Sequence, residues 1–410
     1  MALLWAYKEE SKNTGSELVL IDNVQFIYEL ALAQLELSSL GVKFRISNGL
    51  RNFKITAIED EEKLVRRLAY FKSVRGKYTD YFKIIQKNRT RSVNQYLTHW
   101  IYPYKGKFHP QMIRALMNII FLEPGDTVLD PFIGSGTLAL EAQLLGINCI
   151  GIDISPLCVL QSRVKTESIY VLPKILKWKN FVLENLEPLF KVRGKSFDEI
   201  ISSISEERAR NFFLLAKLVA ISDKERRKRD FVKAYIKNLE QMIASVKDFK
   251  QVVSELNLKL GRVQIKQGDA RELDLEDESI DGIITSPPYS IALDYVNNDA
   301  HSLKELGYEL KELREDFIGV RGKGKQRIVL YNDDIRICLK EMYRVLKPDK
   351  FMVIIIGNAN YQGREIETVK FIIDYAKKLG FKLIHNIDKI IFGLYNVMQK
   401  ENILIFQKRA

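Results

Sequence analysis

A chain of 410 residues, 46% of them hydrophobic, can hold one large α/β domain plus a smaller unit or a sizeable insertion. Its 64 Lys and Arg against 52 Asp and Glu leave a net charge of +12, which favours a polyanionic partner, although a Lys- and Ile-rich chain adapted to heat would look similar. Three cysteines without a CxxC pair, four scattered histidines and no apolar run near the ~18 residues of a membrane span predict a soluble, cytoplasmic protein without disulfide framework, metal or membrane partner.

In chain order, residues 1–95 read as a small α+β unit: a strand near 17–21, a helix over 23–40 ended by Gly41, strands near 43–57 and a helix from about 60. Residues 96–410 read as a second, larger domain. Thr127-Val-Leu-Asp130 is a short buried strand, 136–146 a helix ended by Gly146, and Cys149-Ile-Gly-Ile-Asp153 the next strand, with a helix to about 166. Residues 168–256 are charged and helix-patterned and read as an insertion. Strands at 262–269 and 282–286, a helix at 333–346, a strand at 351–357, a helix at 365–379 and an antiparallel pair at 381–391 and 402–408 complete the rhythm. Strands alternating with helices imply a doubly wound, mainly parallel sheet covered on both faces, a Rossmann-like α/β fold.

The first strand runs into Asp130-Pro-Phe-Ile-Gly-Ser-Gly-Thr137, where Gly134 and Gly136 are spaced for a tight turn that opens a helix and brings backbone N–H groups close to a ligand. Asp153 ends the second strand, where a carboxylate can hold ribose hydroxyls, and Asp269 ends the third, where one can face an adenine amino group. Acids at three successive strand ends suit a positively charged, phosphate-free adenosine ligand better than a pyrophosphate. The plainer alternative is that each Asp caps the helix that follows.

Residues 285–289 read Thr-Ser-Pro-Pro-Tyr behind another apolar run. The amino nitrogen of a base is a poor nucleophile because its lone pair is delocalised into the ring. Ser286 Oγ and the Pro287 carbonyl can accept from that amino group and draw its hydrogens out of plane. The Pro287-Pro288 step stiffens the turn without a competing N–H, and Tyr289 can stack on the base, worth ~1–3 kcal/mol. A paired base must first leave its stack. Cytosine-C5 chemistry would need a nucleophilic cysteine, and none of the three lies in a Pro-Cys step.

As a set, DPFIGSGT, GIDISP, QGDA and TSPPY resemble the motifs of the S-adenosylmethionine-dependent amino-methyltransferases that act on cytosine N4, adenine N6 or guanine N2 of nucleic acids. Lys107-Phe-His-Pro110 is similar to the segment that covers the methionine end of the cofactor in that family. The resemblance spans roughly 100–170 and 262–408 and implies a class I methyltransferase fold with S-adenosyl-L-methionine as cofactor. It implies Phe108, His109, Pro110, Asp130, Pro131, Phe132, Gly134, Ser135, Gly136, Thr137, Asp153, Ile154, Asp269 and Ala270 around the cofactor. Asp130 would lie near the methionine moiety, Asp153 at the ribose and Asp269 at the adenine. Ser286, Pro287, Pro288 and Tyr289 would hold the target. Serine at the first position of that turn resembles the cytosine-N4 branch, whereas the order of the motifs differs from that of many DNA enzymes of the branch.

For the polymer, Glu29-Leu-Ala-Leu-Ala-Gln-Leu-Glu36 and Arg67-Leu-Ala-Tyr-Phe-Lys-Ser-Val74 are similar to the opening domain of tRNA guanosine-N2 methyltransferases. That likeness makes 1–95 a candidate RNA-binding unit and places structured RNA, ribosomal or transfer, slightly ahead of DNA. The alternative is a site-specific DNA cytosine-N4 methyltransferase with target recognition in 168–256; a non-catalytic RNA-binding or assembly protein on the same fold is the third reading. Two basic clusters are candidate phosphate contacts: Arg226, Arg227, Lys228 and Arg229 in the insertion, and Arg321, Lys323, Lys325 and Arg327 in a glycine-interrupted stretch expected to be a mobile loop.

Overall fold

The computed structural model describes residues 17–47, 50–88, 92–186, 197–289, 294–392 and 398–409. Parts of the expected N-terminal unit (1–16, 48–49 and 89–91) and of the helical stretch (187–196) lie outside the described residues.

The N-terminal part is an antiparallel sheet of β1 (Glu17–Leu20), β2 (Lys43–Ser47), β3 (Asn52–Ala57), β4 (Phe71–Val74) and β5 (Lys77–Tyr78), ordered β2-β3-β1-β4-β5. With it come α1 (Ile27–Ser39), α2 (Glu61–Arg67) and α3 (Asp80–Ile85). The last two strands and α3 escaped the sequence reading, because four- and two-residue strands leave too little alternation to see. Leu18, Leu32 and Leu37 share one apolar core with α4 (Pro110–Ile119). A buried polar chain stitches the same seam: Asn118 donates to Glu36 at 2.7 Å, and Arg67 Nε donates to Asn118 at 2.8 Å. Burial pushes the Glu36 carboxyl up to about 7.

The main sheet consists of β6 (Thr127–Asp130), β7 (Asn148–Asp153), β8 (Val263–Gln267), β9 (Ile280–Thr285), β10 (Leu346–Ile356), β13 (Phe381–Phe392) and β14 (Met398–Lys408). Its order is β13-β14-β10-β9-β6-β7-β8, parallel from β10 to β8, with β14 antiparallel to both of its neighbours. Central strands are apolar on both faces because both are covered. Along β10, Val353 and Ile355 join the core under α4 and α5 (Thr137–Leu144). Met352, Ile354 and Ile356 join the opposite core, under α14 (Gly324–Val345) and α15 (Thr368–Leu379). Between β10 and α15 lies a small hairpin, β11 (Ala359–Tyr361) with β12 (Arg364–Ile366).

After β7, α6 (Pro156–Glu167) carries Leu157, Leu160 and Val164 into a third core formed with the helical stretch. That stretch comprises α7 (Leu172–Leu186), α8 (Phe197–Ser202), α9 (Glu207–Arg227) and α10 (Phe231–Glu255) and sits between β7 and β8. Short helices α11 (Tyr295–Asn298), α12 (Ala300–Glu305) and α13 (Leu310–Asp316) follow the Ser-Pro-Pro-Tyr turn. Among the described residues no helix is long and apolar enough to cross a membrane.

One expectation needs correction here. The stretch from Arg321 is not a free loop: α14 begins at Gly324, so Lys325 and Arg327 are helical. Two glycines obscured that start, although Gly322 and Gly324 at φ +80° and +55° form the entry turn and Tyr331 and Ile335 anchor the helix in the core.

Candidate active site

In open parallel sheets ligands bind where neighbouring strands connect in opposite directions, outside the carboxyl ends. Here that point lies between β6 and β9, and the Thr285 hydroxyl donates across it to Asp130 Oδ1 at 2.6 Å. A cavity of about 370 Å³ opens there. Of the residues expected around a cofactor, Phe108, His109, Pro131, Phe132, Gly134, Ser135, Asp153, Ile154, Asp269 and Ala270 line it; of those expected at the target, Ser286, Pro288 and Tyr289 do. Pro110, Asp130, Gly136, Thr137 and Pro287 are buried behind the wall.

Three of them shape the backbone and turn there. Pro110 opens α4 at the position where a missing N–H costs nothing. Gly136 stands at φ +75°, and a Cβ on it would meet Ser162 Oγ at 2.8 Å, so only glycine fits. Gly134, at φ +49°, lies under the Tyr104 ring, while the Thr137 hydroxyl is 3.0 Å from that of Ser135. Beneath the turn the buried Lys165 donates to the Ser135 carbonyl at 2.8 Å, and burial holds its pKa well below the usual lysine range.

The three strand-end acids share one geometry. Asp130 Oδ1 accepts from Phe132 N at 3.0 Å, Asp153 Oδ1 from Ser155 N at 2.9 Å, and Asp269 Oδ1 from Arg271 N at 2.9 Å. Each carboxylate thus turns its own loop, as Asp commonly does two residues on. The helix cap after β7 is Ser155 rather than an Asp. Their second oxygens differ. Asp153 Oδ2 accepts from Gly134 N at 2.9 Å, tying the glycine turn to the second strand. Asp130 Oδ2 is buried without a hydrogen-bond partner. Asp269 Oδ2 accepts from Arg271 Nε at 2.9 Å, and Arg271 also reaches Asp334 at 3.1 Å. Asp269 thus has a guanidinium partner two residues later, itself shared with Asp334. Burial raises Asp130 to about 7 and Asp153 to about 6.

These features suit S-adenosyl-L-methionine: a glycine cradle, a lining carboxylate at the second strand end, and an orphaned carboxylate oxygen that a cationic group would satisfy. The segment 94–109, from which Tyr104, Lys107, Phe108 and His109 line the cavity, is fixed from below. Glu141 of α5 accepts from Tyr96, from His99 at 2.9 Å and from Arg114 at 2.8 Å, all of them buried. Burial would raise the Glu141 carboxyl, but Arg114 and His99 hold it at about 2. Lys107, also on the wall, donates to the Asn94 and His99 carbonyls at 3.1 and 2.7 Å.

Other lining residues carry no local motif: Tyr104, Tyr295, Phe317, Ile318, Lys389 and Glu401. Tyr289 donates through its hydroxyl to Glu401 Oε1 at 2.6 Å, and Lys389 pairs with the other Glu401 oxygen. Only the preference for a charged pair across a hairpin hints at this in the sequence.

The basic clusters are largely engaged within the protein. Arg226 donates to the Asn298 carbonyl and to Asp299 at 2.9 and 3.1 Å; Arg227 and Arg229 both hold Asp223, at 2.9 and 3.1 Å; Lys228 caps α9 in the left-handed region. Arg321 holds the buried Asp334, and Arg327 bonds the Gly319 carbonyl. Lys323 and Lys325 are exposed.

Comparison with known proteins identifies the family. Residues 3–162 and 280–408 match the family model described as DNA methylase, and residues 101–319 match an RMKL-like methyltransferase domain. The chain belongs to the DNA methylase family, and S-adenosyl-L-methionine is its cofactor. It is 36% identical over 141 residues to type II methyltransferase M.MjaII of Methanocaldococcus jannaschii, covering 34% of this chain and 25% of that one. It is 26% identical over 294 residues to M.BsoBI of Geobacillus stearothermophilus, covering 54% and 55%. It is also 35% identical over 94 residues to the tRNA (guanine(10)-N2)-dimethyltransferase of M. jannaschii, covering 23% and 25%. The chain thus spans between a quarter and about half of the length of these relatives.

Proposed function

We propose that this protein transfers a methyl group from S-adenosyl-L-methionine to an exocyclic amino group of a base in nucleic acid, with cytosine N4 as the acceptor atom. The observation that carries the reading is the shared cavity. Gly134 and Asp153 on one side and Ser286 and Tyr289 on the other border a single space, so donor and acceptor can be held in line. Such positioning can supply ~7–11 kcal/mol of a barrier. When bound, the cofactor supplies an electrophilic methyl group. The Ser286 hydroxyl and Pro287 carbonyl accept from the amino group, the rigid Pro-Pro step fixes where they stand, and Tyr289 stacks on a base that has left its helix. Serine at position 286 is the feature that favours cytosine.

For the polymer, DNA is the reading that M.MjaII and M.BsoBI support, the latter aligned over 54% of this chain against 23% for the tRNA enzyme. Structured RNA is the second reading, supported by that tRNA enzyme; residues 17–88, with Arg45 and Lys54 paired across β2 and β3, would then face the RNA. The deciding experiment incubates the protein with methyl-labelled cofactor and either polymerase-made duplex DNA or transcribed tRNA and rRNA, then digests to nucleosides. Label in N4-methyldeoxycytidine is the expected result; N4-methylcytidine would move the substrate to RNA. Label on adenine or guanine would overturn the cytosine assignment, and no transfer to any polymer would overturn the activity.

A further inference from the structure

Strands β13 and β14 close the sheet, and Lys389 and Glu401 face each other across them as a direct pair. A charged pair on a terminal hairpin ordinarily points to water. This one is turned inward, with side chains only 8% and 19% exposed, and both residues line the cavity with Ser286 and Tyr289. The carboxylate divides its oxygens. Oε1 takes the Tyr289 hydroxyl at 2.6 Å, and Oε2 takes the Lys389 ammonium. Burial alone would raise Glu401, but Lys389 and the Tyr289 hydroxyl hold its carboxyl below the usual range.

Gly357, just beyond β10, provides the floor of this arrangement. A Cβ there would come within 2.9 Å of the Lys400 carbonyl and 3.6 Å of both the Tyr289 ring and Glu401 Cγ. One edge of the ring therefore lies over bare backbone, another part borders the cavity, and its far end is tethered through the hydroxyl. A phenol ring held only at its Cβ can swing about χ1 and carry its far end away. A tether on the hydroxyl, 2.6 Å from Glu401, holds that far end in place before any base arrives.

Resting on the proposed base methylation, we propose that Glu401 is a positioning residue for it: it fixes where the ring of Tyr289 stands to stack on the target base, while Lys389 holds the other oxygen of that carboxylate. The closing hairpin thereby becomes part of the target pocket, acting through Tyr289 rather than on the methyl group.

The test measures rates of labelled methyl transfer to polymerase-made duplex DNA and to transcribed tRNA, cofactor affinity by calorimetry, and thermal melting. The variants are Glu401→Gln, Glu401→Ala, Tyr289→Phe and the double Tyr289→Phe/Glu401→Ala. Glu401→Ala and Tyr289→Phe are each expected to lower kcat roughly tenfold, within the sensitivity of a misplaced reacting group, with cofactor affinity unchanged. Glu401→Gln, whose amide oxygen still accepts from the hydroxyl, should recover most of the rate. The double variant should be no slower than either single one, because both remove the same contact. Multiplying losses, or a folded Glu401→Ala protein at the wild-type rate, would overturn the proposal. If Glu401→Ala fails to fold, Tyr289→Phe at the wild-type rate would do so. A wild-type protein that labels neither polymer overturns the function itself; an active wild type with an indifferent Glu401 overturns this inference alone.

Discussion

On the side of the cavity proposed for the cofactor, Asp153 and Asp269 in the lining and Asp130 behind it are each held by a backbone N–H two residues further along the chain. On the target wall, Tyr289 is held by Glu401, 112 residues away, and Glu401 by Lys389 from a second strand. The first wall is made of local turns and comes with its loops. The second exists only once the sheet has closed through β14. The cofactor side should therefore lose affinity residue by residue, whereas the target side should lose turnover while leaving the cofactor bound.

The largest effect expected from this division is at Tyr289. Replacing it with Ala removes the stacking surface and leaves Glu401 with Lys389 alone, so turnover should fall about a hundredfold or more. Cofactor affinity measured by calorimetry should stay within about twofold, since the ring is proposed to contact the base and not the donor. A comparable loss of cofactor binding would merge the two walls into one. Tyr289→Phe should be milder than Tyr289→Ala, because the ring remains and only its tether goes.

Next in size is Asp153→Ala. This variant removes the carboxylate proposed to accept from the ribose and frees the Gly134 N–H that it holds at 2.9 Å. At ~1–3 kcal/mol for each group left unpaired, cofactor affinity should fall roughly ten- to a hundredfold. Unchanged calorimetric affinity would remove the ribose assignment.

What the amino-acid sequence discloses follows the same division. Gly134 and Gly136 need positive φ, Asp130 and Asp153 end strands, and Ser286 to Tyr289 form a stiff turn; each is a property of a few adjacent residues, so each could be read in place. Lys389, Glu401, Tyr104 and Tyr295 reach the cavity only through tertiary folding, and nothing next to them in the chain marks them. The basic clusters show another limit. A run of charge is visible locally, but whether it is paired is not: Arg227 and Arg229 meet Asp223 of α9, Arg226 meets Asp299, and Arg321 meets Asp334 thirteen residues on. The sheet was legible because its strands are apolar on both faces, while the short helices α11 to α13 have too few turns to show a period.

The two walls should also differ in their response to pH. Burial raises Asp130 to about 7 and Asp153 to about 6, so in the ligand-free protein both resist ionisation. A carboxyl raised on folding contributes stability that is complete below about pH 4 and is lost as pH climbs through its folded value. These two carboxyls should accordingly lower the melting temperature of the ligand-free protein as pH rises from about 4 to 7, whereas the buried His99 and His109, each lowered to about 4 by burial, act in the opposite direction. A cationic cofactor whose charge reaches the unpartnered Asp130 oxygen would favour the ionised form and release a proton on binding. Affinity should then rise with pH over the same window, by at most about tenfold per pH unit for each proton released. Asp130→Asn keeps an acceptor for Phe132 N and the Thr285 hydroxyl, yet should flatten that dependence. An Asp130→Asn protein with the wild-type pH profile would show that Asp130 does not meet the cofactor's charge.

The smallest expected effect concerns the polymer. Arg321 and Arg327 are committed to Asp334 and the Gly319 carbonyl, whereas Lys323 and Lys325 stand exposed at the entrance to α14. That entrance adjoins the Ser-Pro-Pro-Tyr segment, since a Cβ on Gly319 would lie 3.2 Å from the Tyr289 carbonyl. If these two lysines meet phosphates, Lys323→Ala/Lys325→Ala should weaken nucleic-acid binding a few-fold at moderate salt. Each lost contact should also flatten the dependence of log affinity on log salt by roughly 0.7–0.9. The modified base should not change, because phosphate contacts position and base contacts specify. Arg321→Ala should act differently, lowering the melting temperature by removing one of the two guanidinium partners of the buried Asp334. Salt titrations of the double-lysine variant and melts of Arg321→Ala separate the two kinds of cation. Superimposable salt slopes for wild type and the lysine variant would return Lys323 and Lys325 to an ordinary solvated surface.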